Sequence, residues 1–380
     1  MENNQLVCID CGKTYPFHLP LWHCECGGLL DVKLDVKFPI KEILKRAPNM
    51  WRYREALPVK SDVNIVSFSE GFTPLLPINV EGKHVRIKQD HLFPTGSYKD
   101  RGASVLISVA KEIGVKKVVE DSSGNAGCAI AAYCAKADIA CDIYVPANTS
   151  PAKLTQIKQY GANLHLIPGS REDTAHAVLS AAKNTYYASH SWNSFFFQGT
   201  KTFAYEVCEQ NHWQSPEVIV LPVGNGTLLL GVWIGFNDLL TAGIIDKVPR
   251  IFGVQAMNCA PLFQAYHQKT YDPQNFTPSP TIAEGIAIAE PVRAKQILQA
   301  VQETDGAFVV VSETDIKDAM ITMHNQGFYI EPTAAATIAA IPNLIQTHPE
   351  IEDWVSVFTG HGLKSTEKIM SIRERSDTKH

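Results

Sequence analysis

Lys99 stands in the run PTGSYKDRGA (94–103), just after a Pro-Thr-Gly-Ser turn and just before a stretch of helical spacing that starts near Arg101. A lysine amine that condenses with a carbonyl carbon must be unprotonated part of the time and held in one place. A helix start and a neighbouring arginine both disfavour an added positive charge there. Three glycine-bearing loops follow apolar runs elsewhere in the chain. The first, DSSGNAG (121–127), follows KKVVE; its backbone N–H groups, the hydroxyls of Ser122 and Ser123, Gly124 and the Asn125 amide suit a carboxylate. The second, PVGNGT (222–227), follows EVIVL; Gly224, Asn225, Gly226 and Thr227 would let backbone N–H groups approach a phosphate at a helix start. The third, FTGHGLK (358–364), follows WVSVF, and Thr359 there could satisfy local backbone groups or hydrogen-bond a ring nitrogen. Each feature alone is commonplace: lysines on turns are usually solvated, and Gly-Asn turns often join strand to helix. Their joint presence is the signal.

The nine cysteines divide into two groups. Cys8 and Cys11, then Cys24 and Cys26, resemble half of a zinc ribbon, since structural zinc takes four nitrogen or sulfur ligands, commonly from paired Cys knuckles. The second pair has one intervening residue instead of two, and His23 could take the fourth position. The alternative is a degenerate arm that folds without metal. Cys128, Cys134, Cys141, Cys208 and Cys259 lie in apolar surroundings and read as small buried residues. An odd count thinly spread argues against a disulfide framework.

The elements that must position these residues read as alternating strands and helices from about residue 39 onward. HVRIKQ precedes SVLISVAKEIG, KKVVEDSS precedes NAGCAIAAYCAKA, and EVIVLPVG precedes TLLLGVWIGFNDLL. Strands apolar throughout, each followed by a helix, imply parallel sheets covered on both faces. Length predicts two or three domains. Hydrophobic residues at 45%, charged residues at 19%, and 39 acids against 34 bases (net −5) describe an ordinary folded chain with no basic block for nucleic acid. The longest apolar run is interrupted by Pro222, Gly224, Asn225 and Gly226, too often for a bilayer span. The start MENNQLVCID lacks a secretory pattern, so the expected location is the cytoplasm. Residues 268–280 read as a surface loop and RERSDTKH as a polar tail.

The ordered set EGFTPL (70–75), PTGSYKDRGA, SSGNAG, PVGNGT, AEGI (283–286), EPTAAA (331–336) and TGHGLK resembles the threonine synthases of the fold-type II pyridoxal-phosphate enzymes. That resemblance implies an α/β fold like the tryptophan synthase β chain: two three-layer α/β domains with parallel-rich sheets. Residues 36–100 and 190–365 would form a large cofactor-binding domain and 101–189 a small one. A zinc-ribbon-like arm (1–35) and the polar tail (366–380) would complete the chain. It implies pyridoxal 5'-phosphate as cofactor, with Lys99 as Schiff-base lysine and proton carrier. Asn125 would meet the cofactor's phenolic oxygen, Ser122, Ser123 and Gly124 the substrate carboxylate, Gly224 to Thr227 the cofactor phosphate, and Thr359 the pyridine nitrogen. The reaction implied is conversion of O-phospho-L-homoserine and water to L-threonine and phosphate. The expected partners are a small amino-acid substrate and a second copy of the chain, with neither nucleic acid nor membrane.

One segment departs from the family pattern. Aligning Gly199, Thr200, Lys201 and Thr202 with its Gly-Gln-Lys-Thr stretch puts Phe196 where an arginine for the substrate phosphate is expected. His190 and Ser191 then fall on its Asn-Ser pair. Lys153 and His190 could supply donors to a phosphate; otherwise the substrate is another small amino acid, such as serine, threonine, phosphoserine or diaminopropionate, and the enzyme an ammonia-lyase or β-replacement enzyme. A non-catalytic amino-acid-binding homologue is the competing class.

Overall fold

The computed structural model describes residues 4–149, 151–169, 171–273 and 276–377, the side chains of 151–153, 171–172 and 374–377 excepted. The chain divides into two compact units, residues 1–72 with 99–202 and residues 73–98 with 203–380. Residues 36–72, 99–100 and 190–202, which the sequence reading grouped with the large domain, lie in the first unit.

The first unit holds a four-stranded, fully parallel sheet in the order Asn163–Ile167, Ala140–Pro146, Lys117–Glu120, Tyr186–Tyr187. Its core is built from helices Lys99–Glu112, Asn125–Ala137 and Ser194–Thr200. Helix Asn125–Ala137 is almost all alanine, cysteine and other small or apolar residues, and it is buried from Ala126 through Cys134. Small side chains let it lie close to its neighbours, and it stops at Asp138, whose left-handed φ of 55° breaks the helical ladder. The N-terminal arm is a three-stranded antiparallel sheet, with Gln5–Cys8 central between Thr14–Pro16 and Leu30–Lys33. Leu6, Tyr15, Phe17 and Leu30 of the arm belong to the same buried cluster as Phe195 and Phe196.

The second unit holds a six-stranded sheet in the order Ala307–Val311, Arg250–Ala256, Val218–Pro222, Trp354–Val357, Lys83–Lys88, Leu75–Val80. Five strands run parallel. The edge pair is antiparallel, closed by Glu81 and Gly82, both with positive φ, which is the two-residue hairpin turn that matches strand twist. The run read as an expected parallel strand, HVRIKQ, is therefore also one arm of a hairpin. Strand Val218–Pro222 is buried at every residue, as a central parallel strand must be. Helix Thr227–Thr241 buries Leu228, Leu229, Leu230, Val232 and Phe236 in the unit itself.

Two expectations need correction. The helix after the lysine turn begins at Lys99 itself, not near Arg101. Residues expected as a polar tail form a helix, Thr366–Asp377, because Ile369 and Ile372, three apart, share a face that joins the core of the second unit. No described helix is long and apolar enough to cross a membrane.

Candidate active site

In the first unit, Lys99 is the first residue of its helix. Its amine lies over the ring of Phe196, 5.6 Å from the centroid. Phe196 sits in helix Ser194–Thr200, whose start is capped by the Asn193 side chain accepting from the Phe195 N–H. A Cβ at Gly102, three residues after Lys99, would overlap the Phe196 ring; glycine is what lets this ring lie against the lysine's own helix. This ring belongs to the residue that the sequence comparison set at the position of a phosphate-binding arginine.

The loop at 121–124 leads from strand Lys117–Glu120 into helix Asn125–Ala137. Ser122 Oγ accepts from the Gly124 N–H at 3.2 Å. A Cβ at Gly127 would overlap the Ser122 carbonyl, so the loop folds tightly onto the first helical turn. Ser122, Ser123 and Asn125 are half-buried and Gly124 is exposed, which leaves this loop open at a helix start where backbone N–H groups lack intrahelical partners. His190 is buried rather than on the surface, and its Nδ1 lies 2.8 Å from Glu120 Oε1. Burial, reinforced by the Asp121 charge and opposed by that of Lys99, pushes the Glu120 carboxyl well above the usual range. Its Oε2 has no hydrogen-bond partner among the described residues. Ser191 Oγ is 3.3 Å from Ser189 Oγ. Lys153 falls on helix Pro151–Gln159, but its side chain lies outside the described residues.

The second unit gathers motifs that lie far apart in the chain. Gly226 has φ +69°, and a Cβ there would overlap Ile297. Gly224 approaches the backbone of Gly285 and Ile286 so closely that a Cβ would stand 3.0 Å from the Ile286 Cα. Gly285 N–H donates to Thr333 Oγ1 at 3.0 Å, and a Cβ at Gly360 would overlap the Glu331 carboxyl. The glycines of PVGNGT, AEGI and TGHGLK are thus required by one another's neighbours. The loop 224–226 opens helix Thr227–Thr241, and Thr227 Oγ1 lies 2.7 Å from the Tyr98 hydroxyl.

Thr359 is 1% exposed, and its Oγ1 has no hydrogen-bond partner among the described residues. The Tyr98 N–H donates to the Thr359 carbonyl at 3.0 Å, and Ser97 pairs with Gly360 across an antiparallel bridge. The residue that carries the chain into Lys99 is therefore tied directly to Thr359. Ser97 Oγ is likewise buried and unpartnered. Leaving a buried hydroxyl unsatisfied costs about 1–3 kcal/mol, so each of these groups suits a polar ligand atom. A glycine-cradled helix start in the same unit suits a phosphate. Both features fit pyridoxal phosphate.

Sequence reasoning missed two residues. Ser97 lay in plain sight two positions before Lys99, and its burial was the missing information. Glu120 ends an apolar run, but its partner His190 is 70 positions away. The four N-terminal cysteine sulfurs lie within 4.8 Å of one another. His23 is outside that group, with Nδ1 2.6 Å from the Cys24 carbonyl oxygen.

Residues 66–360 match the family described as pyridoxal-phosphate dependent enzyme. The chain is 35% identical over 382 residues to the threonine synthase of Methanocaldococcus jannaschii, covering 97% of this chain and 94% of that protein. It is 32% identical over 386 residues to the threonine synthase of Methanosarcina acetivorans, with the same two coverages, 97% and 94%. Among solved structures, the processed form of threonine deaminase isoform 2 from Solanum lycopersicum aligns with a TM-score of 0.70 at 20% identity, over 92% of this chain and 97% of that one. A pyridoxal 5'-phosphate-dependent aspartate racemase aligns with a TM-score of 0.68 at 22% identity, over 87% and 96%. At such identity these two speak for the fold alone. With Lys99 at a helix start, the glycine cradle and the unsatisfied Thr359 hydroxyl already in place, the chain belongs to the pyridoxal-phosphate dependent enzymes of fold type II, and the two curated relatives named above are threonine synthases.

Proposed function

We propose that the protein catalyses the threonine synthase reaction, turning O-phospho-L-homoserine and water into L-threonine and phosphate. The observation that carries the site assignment is the buried, unpartnered Thr359 hydroxyl, one backbone hydrogen bond from the residue preceding Lys99. The full-length similarity to threonine synthases supports the choice of substrate.

On this reading Lys99 would be the residue that holds the cofactor through its aldehyde. Pyridoxal phosphate, when bound, would supply an electron sink for the substrate's Cα, and Thr359 would offer its ring nitrogen a neutral hydroxyl rather than a carboxylate. The Lys99 amine, when not joined to the cofactor, would serve as the base that takes protons at the substrate's Cα and then at Cβ. Ser122, Ser123 and Gly124 hold the substrate carboxylate, and Asn125 meets the phenolic oxygen. Gly224, Asn225, Gly226 and Thr227 hold the cofactor phosphate. Phosphate would leave Cγ, the two protons taken from Cα and Cβ would be given back at Cγ and Cα, and hydroxide from water would add at Cβ, its proton passing to the departing phosphate. His190, Ser191 and Lys153 are the donors proposed for the leaving phosphate. The protein is proposed to work as a cytoplasmic homodimer; sedimentation at the mass of one chain would remove the dimer from the proposal.

Incubation with O-phospho-L-homoserine should release phosphate and threonine in equal amounts. A second reading rests on Phe196 and Glu120: a ring and a buried acid line the neighbourhood of Lys99 where an arginine fork would serve a phosphate. Ammonia and a keto acid from serine or threonine, with nothing released from phosphohomoserine, would favour that ammonia-lyase reading. Phe196→Arg should then raise kcat/KM for phosphohomoserine about tenfold, the scale of one hydrogen bond to a charged group.

Thr359→Val separates stability from activity. Removing a buried hydroxyl that has no partner among the described residues should stabilise the cofactor-free protein by about 1 kcal/mol, read from its urea midpoint. Turnover of the loaded enzyme should fall on the order of tenfold. A variant less stable without cofactor would show that the hydroxyl serves the fold instead.

A further inference from the structure

We propose that Cys8, Cys11, Cys24 and Cys26 bind one zinc ion, and that this ion fixes the N-terminal arm as a brace against residues 187–195. Zinc–sulfur bonds of about 2.3 Å put the sulfurs of a tetrahedral site about 3.8 Å apart. Here Cys8 and Cys26 are 3.6 Å apart, Cys11 and Cys24 are 3.6 Å apart, and all four sulfurs fall within 4.8 Å. Those two distances are opposite edges of the tetrahedron, and both are far longer than a disulfide bond.

The backbone around the sulfurs is folded for the purpose. Gly12 N–H donates to the Cys8 carbonyl and Gly27 N–H to that of Cys24. Both glycines have positive φ, 74° and 86°, which few side chains tolerate. Each pair of cysteines is thus followed by a tight glycine turn, even though the second pair is one residue shorter than the usual knuckle. The Tyr15 hydroxyl lies 3.1 Å from the Cys24 sulfur, the kind of outer hydrogen bond that orients a thiolate ligand. A Cβ at Gly28 would crowd the Cys8 sulfur at 2.9 Å, so only glycine leaves that sulfur its place.

The arm then reaches the segment that carries His190 and Ser191. Phe17 meets the edge of Phe195 at 5.4 Å, and Trp22 meets Tyr187 at 5.1 Å and Trp192 at 5.6 Å. Trp22 lies in the loop between the two cysteine pairs, so closing that loop on a metal limits where the ring can go. The three strands of the arm are only three or four residues long. So small a sheet needs a staple.

The full-length holoenzyme, purified without added metal, should contain one zinc per chain by elemental mass spectrometry. Titrating it with a mercurial should release that zinc to a coloured chelator. After removal of the metal under reducing conditions, all nine cysteines should react as thiols in denaturant. Cobalt put in place of zinc should give the absorption of a tetrahedral tetrathiolate centre. Hydrogen exchange at residues 187–195 should quicken at least tenfold when the zinc is stripped, and Trp22→Ala, which keeps all four sulfurs, should quicken it with the zinc retained. Cys26→Ser, at an exposed position, should lower the zinc content while the protein stays folded. Protein without zinc, iron in its place, or disulfides joining these cysteines would overturn the metal site. Unchanged exchange at 187–195 on stripping would overturn the brace. None of these readouts depends on which amino acid the enzyme accepts.

Discussion

Lys99→Ala should yield a folded protein that has lost the visible absorbance of lysine-bound cofactor and at least on the order of 10³-fold in turnover. The loss combines two roles, the covalent hold on the cofactor and the movement of protons on the substrate. The fold should survive. Lys99 is the first residue of its helix, where alanine is a good helix former, and the interaction its amine makes with the Phe196 ring is worth no more than about 2 kcal/mol. An added primary amine should restore a small part of the rate, because it supplies the missing base without the missing tether. A variant that keeps both the absorbance and the rate would show that a different residue carries the cofactor. Lys364 is the internal control: its amine already donates to the Thr95 carbonyl at 2.9 Å, so Lys364→Ala should leave the visible absorbance in place.

The largest stability effect is expected in the second unit, at Lys88 and Glu206. Both are 0% exposed, and their charged groups meet at 2.7 Å. The lysine amine also donates to the Thr73 carbonyl at 2.6 Å and to Gln210 Oε1 at 2.8 Å. The burial cost of each ion is offset only while the whole set is intact. Removing one partner strands the other in a low-dielectric interior, at a cost of about 3–5 kcal/mol. Glu206→Ala should therefore lower the denaturation midpoint sharply or prevent folding at 37 °C. The double variant Lys88→Met/Glu206→Leu should recover most of that loss, since an apolar pair leaves no charge stranded. A double variant no better than the single one would mean that the pair is needed for more than mutual neutralisation. The rescue also separates stability from catalysis, because neither residue is proposed to touch cofactor or substrate.

The motifs of the candidate site were legible in the chain because they are local. A lysine on a glycine turn, SSGN opening a small-residue helix, and GNGT after an apolar strand each occupy fewer than ten consecutive residues. Their backbone requirements are written in glycine, serine and asparagine. The strand and helix runs were legible for the same reason, since burial on both faces leaves uninterrupted apolar strands. The misplaced boundaries have physical causes. Asp100 and Arg101 look like surface residues, yet both are fully buried in the first turn of the helix that starts at Lys99. Two isoleucines were enough to turn an apparently polar tail into a packed helix. The hairpin at Glu81 and Gly82 carries no Asn-Gly or Asp-Gly signature, so only its second strand, in HVRIKQ, was read from the sequence.

By itself the sequence determined which residues could do chemistry here: one lysine on a turn, three glycine loops at helix starts, a threonine after a buried strand, and four paired cysteines. Only the tertiary structure decided which polar groups end up buried, and with whom. It brought His190 to Glu120 across 70 positions and Lys88 to Gln210 across 122. It set Phe196 beneath the Lys99 amine and left the Ser97 and Thr359 hydroxyls without partners among the described residues. Local pattern reports the conformation of a few neighbours. The cost of a charge or a hydroxyl depends on what surrounds it from distant parts of the chain, and that is settled only when the chain has closed around it.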